Sequence, residues 1–374
     1  MPAPLSFPQP DLPPAALALR QEVRDFLADN KPVGSHYTQS SRAFSRKLGE
    51  RGWIGMTWPA QWGGRQRTTL ERHVVVEELL AASAPIFYHW IADRQSGPLI
   101  LRFGTDAQRG RFLPMIARGE CGFAIGLSEP NAGSDLASLE TRAVRAADGW
   151  KVSGTKVWTS NAHIAEFMIL LCRTAPRDEN RRGGLTQLIV DLASPGIDVR
   201  PIRNMAGQHE FNEVVLNDVF VPDEMVLGIV GQGWGQLLSE LAFERSGPDR
   251  FLSAFELLVR FVDEVGPEPS EAQADLIGRL VSHLWTLRRM SISVSRMLEE
   301  GDPNLAAAIV KDLGGRFEQE LVESCRALQP AAADPDGPYC RALRDALLYM
   351  PRVTIQGGTT QILRNAIARE LGLR

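Results

Sequence analysis

The stretch Cys121–Leu127, CGFAIGL, runs directly into Ser128–Asp135, SEPNAGSD, and the character of the chain changes there. The first segment is a short apolar run. The second is rich in Ser, Pro, Asn, Gly and Asp, the residues that make turns. Downstream, TRAVRAA and WKVSGTKVWTS flank Asp148-Gly149, the pattern of a β-hairpin with a type I′ turn. FMILLCR, LTQLIVDL, GIDVRPI and NEVVLNDVFVP keep the strand rhythm. The charged run Arg173–Gly184, RTAPRDENRRGG, reads as an exposed hairpin loop between two of them. Residues 121–228 are therefore expected to form a small antiparallel, barrel-like β domain.

Upstream the apolar spacing is helical. Ala15–Ala28 carries Leu17, Val23, Phe26 and Leu27 on one face, and Ser41–Arg51 is a second helix stopped by Gly52. Gly52–Gly64, GWIGMTWPAQWGG, is expected to be an ordered loop, because its tryptophans need something to cover. Thr69–Ala82 starts behind Thr68 or Thr69 as N-cap, with Glu71 early. Phe87–Phe103 follows, then Asp106–Arg118 between Thr105 and Gly119, so residues 1–120 read as a helical domain. Helical periodicity returns at about Gly233 and holds to the end. Gly247-Pro248 should break the first of these helices. Pro267–Ser270 is a loop, Ala272–Glu300 and Asn304–Leu328 are long helices, and Gln329–Pro338 is a flexible loop. Ala342–Tyr349 and Thr359–Leu371 close the chain, so residues 229–374 read as a four-helix bundle domain. The fold class is α+β, in the order helical, β, helical.

A chain of 374 residues has room for two or three domains. With 44% hydrophobic and 23% charged residues it has the composition of an ordinary soluble enzyme. A net charge of -4 and a pI of about 6.0 speak against general nucleic-acid affinity. The cysteines, Cys121, Cys172, Cys325 and Cys340, have neither zinc nor redox spacing, and a reducing, cytoplasmic compartment fits them. The histidines show no ligand spacing, so no metal is expected. The proline-rich start lacks the features of a signal peptide, and no apolar run approaches membrane-spanning length.

Ser128–Ser138, SEPNAGSDLAS, taken with Lys156–Ala162, KVWTSNA, the loop WPAQWGG and the C-terminal GGTTQILRNAIARELGL, resembles the acyl-CoA dehydrogenase family, and the helical–β–helical order matches it over nearly the whole chain. The resemblance implies FAD held between the β domain and the C-terminal helices, with an acyl-CoA thioester against the flavin. Leu127 and Ser128 then match the flavin's pyrimidine edge, Trp158 the family tryptophan beside the ring, and Ser160 the residue on the N5 side. Thr359 and Gln361 match further FAD-contacting positions, and Ser134 a position near the CoA pantetheine. Read on its own, Trp158 is equally an ordinary core tryptophan. Thr359 and Gln361 are equally a plain N-cap and first-turn residue.

The reaction the resemblance implies removes the α-proton of the thioester while a hydride leaves the β-carbon for the flavin. Many family members carry the base in a Tyr-Glu-Gly-Thr loop. Here that loop reads Gln356-Gly357-Gly358-Thr359, with no carboxylate. A smaller group, including the long-chain and isovaleryl-CoA dehydrogenases, places the Glu immediately before an Arg on the first helix of the C-terminal domain. Glu244-Arg245 in Leu237–Arg245, LLSELAFER, matches that position. By spacing, Leu237, Leu238, Leu241 and Phe243 are helical, and Glu244 lies on the face of Leu237 and Leu241. A carboxylate there is either neutralised by Arg245 or another cation, or it is a base whose pKa burial has raised. The resemblance favours the base. It gives Gly357 a backbone role at the thioester oxygen and leaves Arg245 between bracing its helix and touching substrate. Two family segments that reach the FAD of a neighbouring subunit, Arg-x-x-Phe-Gly and Gly-Gly-x-Gly-Tyr, are missing. PEPSEAQADLIGR and QPAAADPDGPY occupy their regions. Arg250 compensates by contacting phosphate, or it faces solvent. Trp90 with Asp93-Arg94 lines an acyl pocket or merely packs. The implied enzyme is a dehydrogenase passing electrons to an electron-transfer flavoprotein, as a homo- or hetero-oligomer. The rivals are an acyl-CoA oxidase using O2 and a non-catalytic subunit of a heteromer.

Overall fold

The turn-rich loop after Leu127 sits where helices give way to a single sheet. The computed structural model describes residues 5–30, 39–177, 179–245, 247–301 and 303–373, and the side chains at 240–245 lie outside that description. In chain order the helices before the sheet are α1 (Pro14–Asp29), α2 (Arg42–Glu50), α3 (Thr69–Ala81), α4 (Phe87–Ile91), α5 (Gly97–Phe103) and α6 (Asp106–Ala117). The strands are β1 (Phe123–Gly126), β2 (Arg142–Ala146), β3 (Gly149–Lys156), β4 (Phe167–Arg173), β5 (Leu185–Asp191), β6 (Ile197–Arg203), β7 (His209–Pro222) and β8 (Val226–Leu227). After them come α7 (Gly233–Arg245), α8 (Phe255–Val265), α9 (Glu271–Met297), α10 (Asn304–Ala327), α11 (Pro338–Tyr349) and α12 (Thr360–Glu370). The architecture is mixed α+β, with helices before and after a central sheet, as expected.

The described residues fall into two compact units. One comprises Met1–Gln39, Thr68–Pro85 and Glu244–Arg374, the other Ser40–Arg67 and Ile86–Phe243. In the second unit the strands run in the order β6-β7-β3-β2-β4-β5-β8. The sheet is antiparallel except at β1, which pairs parallel with β4, and at one parallel rung between Arg142 of β2 and Arg173 of β4. The β2–β3 hairpin forms, but not with the turn expected. Ala146 pairs with Gly149, so the loop residues are Ala147 and Asp148, and neither has the positive φ that a type I′ turn requires. Phe112 of α6 meets Phe123 and Phe167 edge-on, at ring separations of 5.9 and 5.0 Å, and seats that helix on β1 and β4. The tryptophan-rich loop is ordered, as its aromatics demanded. Trp53 and Trp58 are buried, and the Trp58 ring packs so closely on Gly97 that a Cβ there would lie 2.3 Å from it. Between α4 and α5 the chain passes through a π-helical stretch, Ala92–Ser96, instead of the one regular helix expected. There buried Asp93 accepts the Gly55 N–H at 2.7 Å and Arg94 stacks on Trp90 at 5.0 Å.

In the first unit α3 packs against α1 and α9, and α10 touches α8, α9, α11 and α12. Thr68 caps α3 in a capping box with Glu71. Glu77 of α3 is the ionic tie, with Arg20 of α1 at 2.8 Å, Arg288 of α9 at 2.6 Å and His73 at 3.8 Å. Burial alone would raise the Glu77 carboxyl, but His73 and Arg288 outweigh it and pull its pKa down to about 2. Gly247-Pro248 ends α7 as the sequence required, and Thr359 is the N-cap of α12.

Candidate functional site

The loop 127–135 is built over an apolar floor. Ala132 and Leu139 are buried against Leu171 of β4, Leu185 of β5 and Leu237 of α7, with Leu127, Leu136 and Trp234 packed beside them. Its upper edge is tied to the end of β3. The Ser128 carbonyl accepts the Val157 N–H at 2.9 Å, and Lys156 Nζ donates to Leu127 O at 3.0 Å and to Glu129 Oε1 at 2.8 Å. Lys156 is 0% exposed. Burial raises the Glu129 carboxyl and lowers the Lys156 ammonium, each favouring the neutral form. For Glu129 the adjacent ammonium and the Thr141 and Glu140 N–H groups reverse that and hold it ionised, below the usual carboxylate range. Sequence reading passed over this pair. Lys156 shares the parity of the inward-facing Trp150 and Val152 on β3, which is the signal that could have found it.

Trp158 is no core tryptophan. It is 60% exposed and sits at φ +59°, a left-handed conformation that costs a bulky residue about 1–2 kcal/mol. Its surroundings fix that conformation. The Thr159 N–H donates to Asn212 O at 3.1 Å, Asn212 Nδ2 donates back to Thr159 O at 2.9 Å, and the Asn161 N–H donates to Glu210 O at 2.9 Å. Asn212 is in turn oriented by His209 Nε2 at 2.7 Å, and His209 stacks on His163 at 3.8 Å. Phe211 props the indole edge-on at 5.9 Å. The result is an aromatic plane held in the open. Beside it the Ser128 N–H has no hydrogen-bond partner among the described residues. Ser160 is half-buried, and Ser134 is exposed. The charged hairpin loop is exposed but anchored: Arg173 and Arg177 donate to Ala137 O at 3.1 and 3.2 Å, and Arg181 pairs with Asp135. No group of metal-ligating side chains occurs among the described residues.

In the helical unit, Gly357 and Gly358 occupy φ +70° and +100°, a turn that side chains resist. Buried Lys311 of α10 holds it by donating to Gly358 O at 3.0 Å. Thr359 then caps α12 by accepting the Ile362 N–H at 3.3 Å, and Gln361 is exposed in the first turn. The first turn of a capped helix offers N–H groups to polar or phosphate atoms. Arg250 does not face solvent. It is buried, with Nε 3.4 Å from Asp249 Oδ2. On α7, Leu237 is buried whereas Leu238 is half exposed, so the apolar stripe is narrower than its spacing implied. The side chains of Leu241, Phe243, Glu244 and Arg245 lie outside the described residues.

Glu318 of α10 carries no sequence signal and is a buried carboxyl with no ion pair among the described residues. It accepts the Ser253 N–H, and the Ala254 N–H at 3.3 Å. Burial, helped by Asp249, pushes its pKa up to about 7 from 4.5 despite those donors. The folded state therefore favours the protonated form. The stability this gives is complete below about pH 4.5 and is lost as pH rises through about 7. Glu318→Gln is expected to remove that slope and to stabilise the protein at pH 8 by on the order of 2–3 kcal/mol, read as a shift in urea midpoint. An unchanged pH profile in the variant would show that Glu318 does not titrate in this range.

Residues 13–120 match the acyl-CoA dehydrogenase N-terminal domain and residues 124–219 the acyl-CoA dehydrogenase middle domain. The chain is similar to acyl-CoA dehydrogenase FadE34 of Mycobacterium tuberculosis, 37% identical over 87% of this chain, although it spans only 45% of that relative. It is 33% identical to acyl-CoA dehydrogenase IpdE1 of the same organism, over 95% of this chain and 97% of the relative. Among solved structures it is similar to the Tcur3481-Tcur3483 steroid ACAD, with a TM-score of 0.86 and 28% identity over 97% of this chain and 99% of that one. The ChsE4-ChsE5 complex from Mycobacterium tuberculosis has a chain with a TM-score of 0.85 and 27% identity, over 97% of this chain and 99% of that one.

Proposed function

Since the chain belongs to the acyl-CoA dehydrogenase family, we propose that it binds FAD and oxidises an acyl-CoA thioester to the trans-2-enoyl-CoA. The observation that carries this reading is the exposed, strained and fully braced Trp158 beside the unpartnered Ser128 N–H. A planar aromatic wall and a free donor at one edge are what a flavin ring needs. By the family resemblance Leu127, Ser128, Trp158 and Ser160 are assigned to the flavin ring, and Thr359 and Gln361 to other atoms of the cofactor. FAD, when bound, supplies the two-electron acceptor for the β-hydride.

The rest is done by the chain's own groups. Glu244 takes the α-proton. Its place on α7 follows the subgroup that carries the base on a helix, and the Gly357-Gly358 loop supplies no carboxylate to replace it. The Gly357 N–H binds the thioester oxygen and stabilises the charge that develops there as the proton leaves. Ser134 meets the pantetheine, and Arg245 flanks the acyl group. Electrons pass to an electron-transfer flavoprotein, in the cytoplasm. The division into residues 1–120, 121–228 and 229–374 belongs to the same reading. A bulky acyl group, including a steroid side chain, is the favoured substrate class, in keeping with a similar structure described as a steroid ACAD.

A second reading has a specific observation behind it. The two segments that usually reach a neighbour's FAD are replaced, and a similar chain belongs to a structure described as a ChsE4-ChsE5 complex. In that reading this chain completes its flavin site only with a different subunit. Expressed alone, the protein is expected to be yellow and to bleach when a panel of acyl-CoAs is added without oxygen. A colourless protein that turns yellow only with a second subunit would favour the heteromer. Oxygen consumption without a carrier protein would mark an oxidase.

A further inference from the structure

Lys156 and Glu129 are ionisable groups enclosed in the sheet unit, and the proposed chemistry uses neither. An ion pair in an interior seldom adds net stability over apolar side chains of the same volume. Stability is therefore a poor account of this one, and its geometry offers a better account. Every described peptide bond is trans. In a trans peptide the C=O and the N–H point in opposite directions. Lys156 draws Leu127 O towards the interior at 3.0 Å, which turns the Ser128 N–H of the same peptide the other way. The next peptide is fixed too, because Ser128 O accepts the Val157 N–H at 2.9 Å. Glu129, itself held by the Glu140 and Thr141 N–H groups at 2.6 and 2.9 Å, keeps the ammonium in place at 2.8 Å. An N–H that is rigidly held and unpaired is a donor offered to something outside the protein. Two residues beyond Lys156 stands the exposed indole of Trp158.

We propose that Lys156, anchored by Glu129, is a positioning residue that aims the Ser128 N–H and fixes its place relative to Trp158, and so sets the affinity for the flavin ring. This rests on the flavin reading above. Lys156 itself touches no cofactor or substrate.

The test uses the full chain as wild type, Lys156→Met and the double variant Glu129→Gln/Lys156→Met. Each is stripped of flavin and titrated with FAD by fluorescence, and thermal midpoints are recorded with and without FAD. Lys156→Met strands a buried carboxylate and should lower the midpoint of the flavin-free protein. The double variant removes both charges and should recover most of that loss. FAD affinity should fall about tenfold in Lys156→Met and stay low in the double variant, because Leu127 O has lost its donor in both. The absorption maximum of the bound flavin should also move in the double variant, since the donor at the ring edge is displaced. A purely structural role would move neither quantity once stability is restored. Wild-type affinity and spectrum in the double variant would overturn the inference and leave the flavin reading standing. A wild-type protein that binds no FAD, either alone or with a second subunit, would overturn both.

Discussion

Replacing Glu244 with Gln is expected to lower turnover about a thousandfold or more while leaving flavin content and folding unchanged. Gln has the size and shape of Glu but cannot accept the α-proton at neutral pH, and positioned general bases contribute about 10²–10⁴-fold. Glu244→Asp keeps the carboxylate on a shorter arm and should retain part of the activity, because proton abstraction depends on reach. The distinctive readout is anaerobic. The Gln variant should still bind acyl-CoA and perturb the flavin spectrum, yet fail to bleach it. The loop Gln356-Gly357-Gly358-Thr359 has no acid of its own to stand in for Glu244. Restoring one by Gly357→Glu should not rescue the Gln variant, since Gly357 sits at φ +70° and its turn resists a side chain. Full activity in Glu244→Gln would place the base elsewhere and sink the assignment.

How far the sequence could be read follows from the range of the interactions involved. The capping box Thr68–Glu71, the break at Gly247-Pro248 and the cap at Thr359 are local events, and each was legible where it occurs. The sheet was legible as strands and in its β2–β3 and β4–β5 hairpins, but not in its longer-range pairing. That β1 lies parallel to β4 is a contact between Phe123 and Phe167 that no local pattern announces. The same limit hid the grouping of α1 and α3 with the C-terminal helices, which is cemented by Glu77 reaching Arg288, 211 positions away. For Trp158 the sequence offered either a core residue or a ligand wall, and exposure with a strained φ removes the first. Lys156 was half legible, through its strand parity, whereas its partner Glu129 lies 27 positions earlier in a loop without a period. For Arg250 the solvent-facing alternative, the ordinary state of an arginine, is removed by its burial. Both α3 and α10 pack on the Pro248–Arg250 turn, with Gly314 of α10 leaving no room for a Cβ beside Arg250 O.

Trp158→Gly is expected to separate function from stability. An indole that is 60% exposed contributes little burial, so deleting it forfeits little of the hydrophobic term. At φ +59° a glycine relieves about 1–2 kcal/mol of backbone strain, part of which is returned through the greater freedom of glycine in the unfolded chain. The flavin-free variant should therefore melt no lower than wild type. FAD affinity should move the other way. Stacking of an aromatic side chain on a heteroaromatic ring is worth about 1–3 kcal/mol, so binding should weaken roughly 5- to 150-fold. Trp158→Phe keeps a ring and keeps the strain, and should fall between the two in affinity without gaining stability. The backbone around position 158 is held from outside it, by Thr159 and Asn161 bonding to Asn212 and Glu210, so the loop should survive either change. Calorimetric melting of the flavin-free proteins beside FAD titrations reads both quantities in one series. A variant that loses several degrees while binding FAD as tightly as wild type would show that the indole serves the fold. A variant that keeps its melting temperature and loses the flavin would show that the strain at Trp158 is retained for binding.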